Sequence, residues 1–329
     1  MAPNSFTLKQ PSKQRQVGSL RWFVGMLMAS TFSMVYFVAP FYMLTAAALL
    51  LAAPTSAFTW VYIMPILVSA LVKPLPMPFV LRWLRPMVDY FDYEEIVESS
   101  PINVREEILL KGKNYLCVFQ PHGALSFTGI VSAVTAEPAF QGTMPTAVAD
   151  AVLLTPIVKH VLGIFGIISA SKRSMQRALK RPGPEGCVVL YVGGMAELFL
   201  SCENNEKLYL MKRKGFIKLA LQEGVDVVPI YLFGNTTVLS VLKKGALAMI
   251  SRKLQVSLTY IWGKWGLPIP RDCKLLYVSG QPLGMPKIEN PTQQDIDKWH
   301  AKYCSEVKRL FDTYKDRVPE YKDKQLEIV

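Results

Sequence analysis

From Trp22 to Val72 the chain carries no Asp, Glu, Lys, Arg or His, a run of 51 residues. Nothing else in the sequence restricts the fold so strongly. A hydrocarbon core about 30 Å thick is crossed by about 20 apolar residues in a helix. The run is therefore too long for one span and suits two. Pro54, within AAPTS at 52–56, cannot continue a helix and marks the expected turn. Pro40 and Pro65 fall inside the two spans and predict kinks or re-entrant geometry. A cleaved signal peptide would show an apolar stretch of only about 7–15 residues. Lys9, Lys13, Arg15 and Arg21 precede the run, and Lys73, Arg82 and Arg85 follow it. Basic flanks on both sides put both on the cytosolic face, as a hairpin does and a single crossing does not.

The chain then divides into a basic cytosolic N-terminus (1–21), a hydrophobic transmembrane or re-entrant hairpin (22–72), an interfacial linker (73–100) and a globular body (101–329). The linker opens on KPLPMP and mixes Trp83, Tyr90, Phe91 and Tyr93 with Arg82, Arg85 and Asp89. Amphipathic aromatics of this kind settle at a membrane surface; an ordinary surface helix reads the same way. Overall the chain is 51% hydrophobic and 19% charged, against roughly 25% charged in average soluble proteins. Disorder is excluded by that apolar content.

Thirty-seven basic and 25 acidic residues give a net charge of +12. Such a surface suits anionic lipid or a polyphosphate ligand. No zinc-finger, RNP or basic-zipper spacing is present and the basic residues are dispersed, so nucleic acid is not expected as a partner. Cys117, Cys187, Cys202, Cys273 and Cys304 are scattered and odd in number, with no C-x-x-C. That pattern excludes a compact disulfide or zinc framework and suits a reducing compartment.

In the body, short β-rich runs bounded by Gly or Pro read as strands at 114–119, 145–149, 186–192, 225–233, 254–260 and 274–279. Residues 211–222 have a helical period and stop before Gly224. Residues 292–314 place Ile296, Trp299, Tyr303, Val307, Leu310, Phe311 and Tyr314 at three- and four-residue steps, an amphipathic helix. Strands alternating with helices predict an α/β sheet layered by helices.

Phe119-Gln120-Pro121-His122-Gly123 follows the first of these strands and precedes a helix-like stretch at 124–133. A neutral imidazole there can accept a hydroxyl proton, and the next helix offers unpaired N–H groups to an oxyanion. A histidine capping or packing at a turn would occupy the same place. His160 and His300 lie in apolar or helical surroundings that favour core or surface roles. None of the three histidines has another within metal-ligand spacing, so no metal site is implied.

Gly193-Gly194-Met195-Ala196-Glu197 follows another buried strand. The paired glycines allow a tight turn and close backbone approach. Glu197 could orient an imidazole or could cap a helix N-terminus. Ser126 lies near His122, yet G-x-S-x-G is absent and nothing marks that serine as activated. Lys172, Arg173, Arg213 and Lys214 sit near expected helix starts. They could hold the phosphates of an anionic cofactor or a lipid headgroup, or be ordinary solvated side chains. Walker A and G-x-G-x-x-G are missing, which removes support for nucleotide hydrolysis and hydride transfer.

PHG at 121–123, GGMAE at 193–197 and RKGFIKLALQEGVDVVPIYLFGN at 213–235, in this order behind a hydrophobic run, resemble the type-two diacylglycerol acyltransferase family. That family also includes monoacylglycerol and wax-ester acyltransferases. The resemblance covers most of the chain. It implies a glycerolipid-acyltransferase-like sheet layered with helices behind the membrane hairpin, and acyl-CoA-dependent esterification of a lipid hydroxyl in the endoplasmic reticulum membrane. The partners would be acyl-CoA as co-substrate, diacylglycerol and membrane lipids, with no further cofactor; lipid-droplet association and homodimerisation stay open. His122 matches the family's proposed catalytic histidine and Glu197 the glutamate of its Gly-Gly-x-x-Glu block. Gln120 stands where the family has His, Tyr or Glu, so it is expected to position rather than to act as a base. Asn235 stands where Glu is common and receives no role. No aspartate lies in a His-x4-Asp relation to His122, which leaves Glu197 as its expected carboxylate partner.

Overall fold

The computed structural model describes residues 16–136, 140, 144–194, 197, 200, 205–242 and 260–329, with the backbone of 5–8. Lys9, Lys13, Arg15, Cys202 and all of the expected strand 254–260 except Tyr260 lie outside the described residues.

The body is built on a sheet of β1 (Ser5–Leu8), β2 (Asp92–Glu98), β3 (Tyr115–Gln120), β4 (Thr146–Val148), β5 (Ile167–Ser169), β6 (Val188–Tyr191), β7 (Asp226–Phe233) and β8 (Lys274–Ser279). Their order is β1-β2-β8-β7-β3-β6-β4-β5. The pairs β1–β2 and β7–β8 are antiparallel; the others are parallel. β3 and β7 are buried along their whole length. Burial on both faces explains why they read as unbroken apolar runs rather than alternating ones. Five expected strands thus appear within a few residues of their expected ends, and the mixed α/β layering is as expected.

Alternate side chains of β3 serve two faces. Leu116 and Val118 point into a core with α6 (Lys172–Leu179), α7 (Gly215–Glu223) and α8 (Gln293–Tyr314), as Val227, Tyr231 and Phe233 of β7 do. Cys117 and Phe119 point the other way, toward α3 (Val104–Lys111), whose Val104 and Ile108 pack beside them. α8 starts with a capping box between Thr292 and Asp295, and buries Ile296, Tyr303, Val307, Leu310, Phe311 and Tyr314 on one stripe. α7 starts later than the sequence predicts, at Gly215, and ends before Gly224 as expected.

The segment expected to be an interfacial linker contains β2, a full member of the sheet. Its acidic residues hide it from strand propensity. Glu94 is held by Lys274 and Arg317, and Glu98 by Arg309. Tyr90, Phe91 and Tyr93 are core residues, whereas Phe79 and Trp83 remain 64% and 75% exposed.

The apolar run folds as α1 (Leu20–Ala52) and α2 (Ala57–Leu71), with Pro40 and Pro65 inside continuous helices. Ser19 caps α1 by accepting from the Trp22 N–H. Trp22, Met26, Ala29 and Phe32 pack the base of α1 onto the body. Beyond them Val38, Phe41, Leu44 and Leu51 are exposed, as are Phe58, Val61 and Met64 on α2. Thirty-three residues make a helix about 50 Å long, and fifteen make one of about 22 Å. Among the described residues α1 alone is long and apolar enough to cross a membrane, which suggests membrane association. α2, at fifteen residues, is shorter than the about 20 residues of a full span.

Candidate active site

β3 ends at Gln120 and hands the chain directly to Pro121, His122 and Gly123. His122 opens onto a cavity of about 1600 Å³, larger than the roughly 300–1,000 Å³ of most small-molecule sites. Phe119, Tyr191 and Ile230 line it from the sheet, Pro40 and Met43 from α1, and Arg213 from the segment before α7. The wall is apolar over most of its extent, as a long hydrocarbon chain requires. One side reaches α1, the helix able to enter a bilayer.

The imidazole is fixed by its own neighbourhood. Nδ1 lies 2.9 Å from the Gly123 carbonyl oxygen, which can only accept, so Nδ1 carries the proton and Nε2 keeps its lone pair. Tyr191 packs edge-on against the ring with centroids 5.0 Å apart. Burial lowers the His122 pKa below its ordinary value, and the Gly123 hydrogen bond opposes that shift. The ring is therefore neutral at physiological pH, the form a general base needs. Gly123 has φ +64°, and a Cβ there would stand 2.4 Å from the Asn235 carbonyl oxygen. Only glycine fits.

Glu197 reaches His122, but at the backbone. Its Oε2 accepts from the His122 N–H at 3.1 Å, and the carboxylate also accepts from the Tyr209 N–H. The expected contact with the ring is replaced by the Gly123 carbonyl, because the turn aims the imidazole into the cavity and its N–H toward the carboxylate. Burial raises Glu197 to about 7, against the pull of those two N–H donors. Gly193 makes room for it: a Cβ there would lie 1.8 Å from Glu197 Cδ. Gly194 lines the cavity.

Gln120 is fully buried on the packed face, and both polar atoms of its amide lack a partner among the described residues. Glu197 Oε1 and the hydroxyls of Tyr231 and Tyr303 share that condition. Tyr231 stands beside Gln120 in the β3–β7 register, and Glu197 acts electrostatically on both tyrosines.

Asn235, left without a role by sequence, ties the turn together. It is fully buried. Its Nδ2 donates to the Pro121 carbonyl at 2.9 Å and to Ser126 Oγ at 3.0 Å. Its Oδ1 accepts from the Thr128 N–H at 2.8 Å. Tyr191 hydrogen-bonds Ser126 in turn. The helix after the turn, α4 (Phe127–Thr135), thus begins with an N–H already spent, and it cannot offer that group to an oxyanion as the sequence suggests. The N–H groups of Gly123, Ala124 and Leu125, residues that line the cavity, meet no acceptor among the described residues.

The four basic candidates separate. Arg213 lines the His122 cavity and lies over the Tyr209 ring, 5.3 Å from its centroid. Lys214 pairs with Asp297 at 2.7 Å. Lys172 lines a different, smaller groove with Lys180 and Lys287, and Arg173 is exposed on the same helix. His160 Nε2 lies 3.1 Å from the Ser69 carbonyl oxygen, and His300 Nε2 3.0 Å from that of Leu210. Neither histidine lines the cavity, although α5 (Val158–Gly163), which carries His160, does so through Val158 and Leu162.

A model of the family described as diacylglycerol acyltransferase matches residues 82–329. Diacylglycerol O-acyltransferase 2 of Danio rerio is 32% identical over 255 residues, covering 71% of this chain and 70% of that protein. Acyl-CoA wax alcohol acyltransferase 2 of Mus musculus is 28% identical over 244 residues, covering 69% of this chain and 73% of the relative. A solved 1-acyl-sn-glycerophosphate acyltransferase from Thermotoga maritima aligns over 92% of this chain and 97% of its own, at 13% identity and a TM-score of 0.41.

Proposed function

The chain belongs to the diacylglycerol acyltransferase family, and from that premise we propose that it is an acyl-CoA-dependent O-acyltransferase that esterifies diacylglycerol to triacylglycerol. The observation that carries the reading is His122, its Nδ1 2.9 Å from the Gly123 carbonyl oxygen, opening on a largely apolar cavity that reaches both Arg213 and α1.

In this mechanism His122 Nε2 takes the proton of the acceptor hydroxyl as its oxygen attacks the thioester carbonyl carbon. The N–H groups of the turn from Gly123 to Leu125 receive the negative charge that develops on the carbonyl oxygen, an effect worth about 3–4 kcal/mol for one donor. Collapse of the tetrahedral intermediate breaks the C–S bond, and the imidazolium returns its proton to the leaving thiolate. Transfer is direct, with no acyl-enzyme. Glu197 and Asn235 hold the turn, and Gln120 supports it from the packed face. Arg213 meets CoA phosphate at the cavity mouth. Lys214, Lys172 and Arg173 offer a more distant basic surface.

α1, with α2 returning beside it as a hairpin, holds the cavity at membrane depth with the body on the cytosolic face of the endoplasmic reticulum. A second reading keeps the chemistry and changes the acceptor to a fatty alcohol, since the mouse relative is named for wax alcohol. Apolar pockets discriminate weakly, by about 1–3 kcal/mol per methylene.

The test uses microsomes from cells lacking their own triacylglycerol synthesis, with labelled oleoyl-CoA and diacylglycerol, monoacylglycerol or a fatty alcohol. Labelled triacylglycerol is the expected product. Wax ester alone would change the acceptor, and no product from a membrane-inserted protein would overturn the reading.

A further inference from the structure

One part of the cavity wall is not apolar. Glu95 of β2 and Arg105 of α3 both line it and form an ion pair there, with Glu95 only 6% exposed. The Tyr93 hydroxyl stands 3.5 Å from Glu95 Oε2. With Arg213, these are the charged side chains among the described residues that line the cavity.

Position follows from register. Gln120 pairs with Tyr231, Leu232 with Tyr277, and Tyr277 with Glu95. Glu95 therefore lies one residue beyond the level of Gln120 and three strands from β3. At a strand spacing of about 4.8 Å, that is about 14 Å across the sheet face. Phe119, Ile230 and Tyr277 are the lining residues near that level. A chain lying across them from β3 advances about 1.2 Å per bond, so an interior carbon, roughly a dozen bonds out, meets the pair.

Stability does not by itself call for the pair. Buried ion pairs often hold a fold no better than apolar residues of the same volume. Two other acidic residues of β2 are engaged elsewhere, since Glu94 and Glu98 bind Arg317 and Arg309 outside the cavity lining. A saturated hydrocarbon would gain nothing from a carboxylate and a guanidinium in its path. A second anion would be repelled by Glu95. A hydroxyl can donate to the carboxylate and accept from the guanidinium at once.

We propose that Glu95 and Arg105 form a polar subsite that binds a hydroxyl group carried in the middle of the long acyl chain. The proposal rests on the acyltransferase reading and adds a substrate class to it. Unmodified chains still fit, passing the pair without engaging it, while a mid-chain hydroxyl is selected.

The experiment compares stearoyl-CoA with hydroxystearoyl-CoA isomers bearing the hydroxyl near the carboxyl end, in the middle or near the methyl end, using wild-type microsomes and diacylglycerol. The mid-chain isomer is expected to show the highest kcat/KM, about tenfold above the end isomers. In the variant Glu95→Leu with Arg105→Met that preference is expected to vanish while stearoyl-CoA turnover persists. A flat or monotonic response to hydroxyl position in the wild type overturns the subsite without needing any variant. A preference that survives in the active double variant overturns it too. Failure of the wild type to use any acyl-CoA, the unmodified one included, refutes the acyltransferase reading and the subsite with it.

Discussion

The two faces of β3 differ more than their alternating sequence suggests. On one, Leu116 and Val118 meet a filled core of aromatic and aliphatic side chains from α7 and α8. On the other, Cys117 and Phe119 look into a cavity of about 1600 Å³. The same strand thus anchors the fold and floors the site, and His122 stands where the two roles meet. Polar groups follow the division. On the cavity side they face open space, whereas Gln120, Tyr231 and Tyr303 on the packed side carry polar atoms that lack a partner among the described residues. Rigidity for the turn comes from the packed face and room for a lipid from the other.

That contrast can be broken most severely at His122. His122→Ala is expected to cut acyl transfer about 10²–10⁴-fold while protein level and thermal inactivation stay unchanged, as measured on labelled product in matched microsomes. A loss of stability of similar size would mean the residue belongs to the core instead. The faces themselves are compared by Phe233→Ala and Phe119→Ala. The first opens a hole in the packed face and is expected to cost about 3–5 kcal/mol, seen as an early midpoint for thermal inactivation in detergent. The second enlarges a space that already exists. It should cost clearly less and shift acyl-chain preference, and equal destabilisation by the two would erase the distinction.

Glu197 tests the packed side by pH. Its pKa is raised from 4.5 to about 7 by burial, so the folded state holds a proton that the unfolded state releases between those values. Stability from the neutral carboxyl is present at low pH and lost as pH rises through about 7, up to about 3 kcal/mol in all. Glu197→Gln is therefore expected to raise the inactivation midpoint at pH 8 and leave it unchanged at pH 4. A variant with the wild-type pH dependence would show that the charge on Glu197 is not carried in the core. At Asn235 the effect is smaller. Asn235→Ala strands the Thr128 N–H and the Pro121 carbonyl, about 1–3 kcal/mol, and is expected to lower kcat with little change in KM for acyl-CoA. A rise in KM alone would make Asn235 a binding residue rather than a positioning one.

Sequence showed much of this because some constraints are local. β3, β7 and β8 are short apolar runs between turns, and His122 beside a glycine at a strand end is conspicuous. Other features depend on distant partners. β2 looks too acidic for a strand until Arg309, Arg317 and Lys274 arrive from far along the chain. Asn235 acquires its role from Thr128, 107 positions away. Glu197 meets His122 at the backbone N–H, a contact that sequence could not tell from one with the ring. Nor could it tell that Lys172 would turn to a separate groove. An uncharged run of 51 residues likewise set a length of apolar chain without setting how α1 and α2 would share it.

The most direct test of a neutral His122 acting as base is the pH dependence of kcat/KM for acyl transfer to diacylglycerol, measured on wild type and Glu197→Gln. The account expects activity to fall toward acid with a midpoint below 6.5, since burial depresses the imidazole, and expects the same acid limb in both proteins. An acid limb that disappears in Glu197→Gln, or a profile flat through that range, would contradict it.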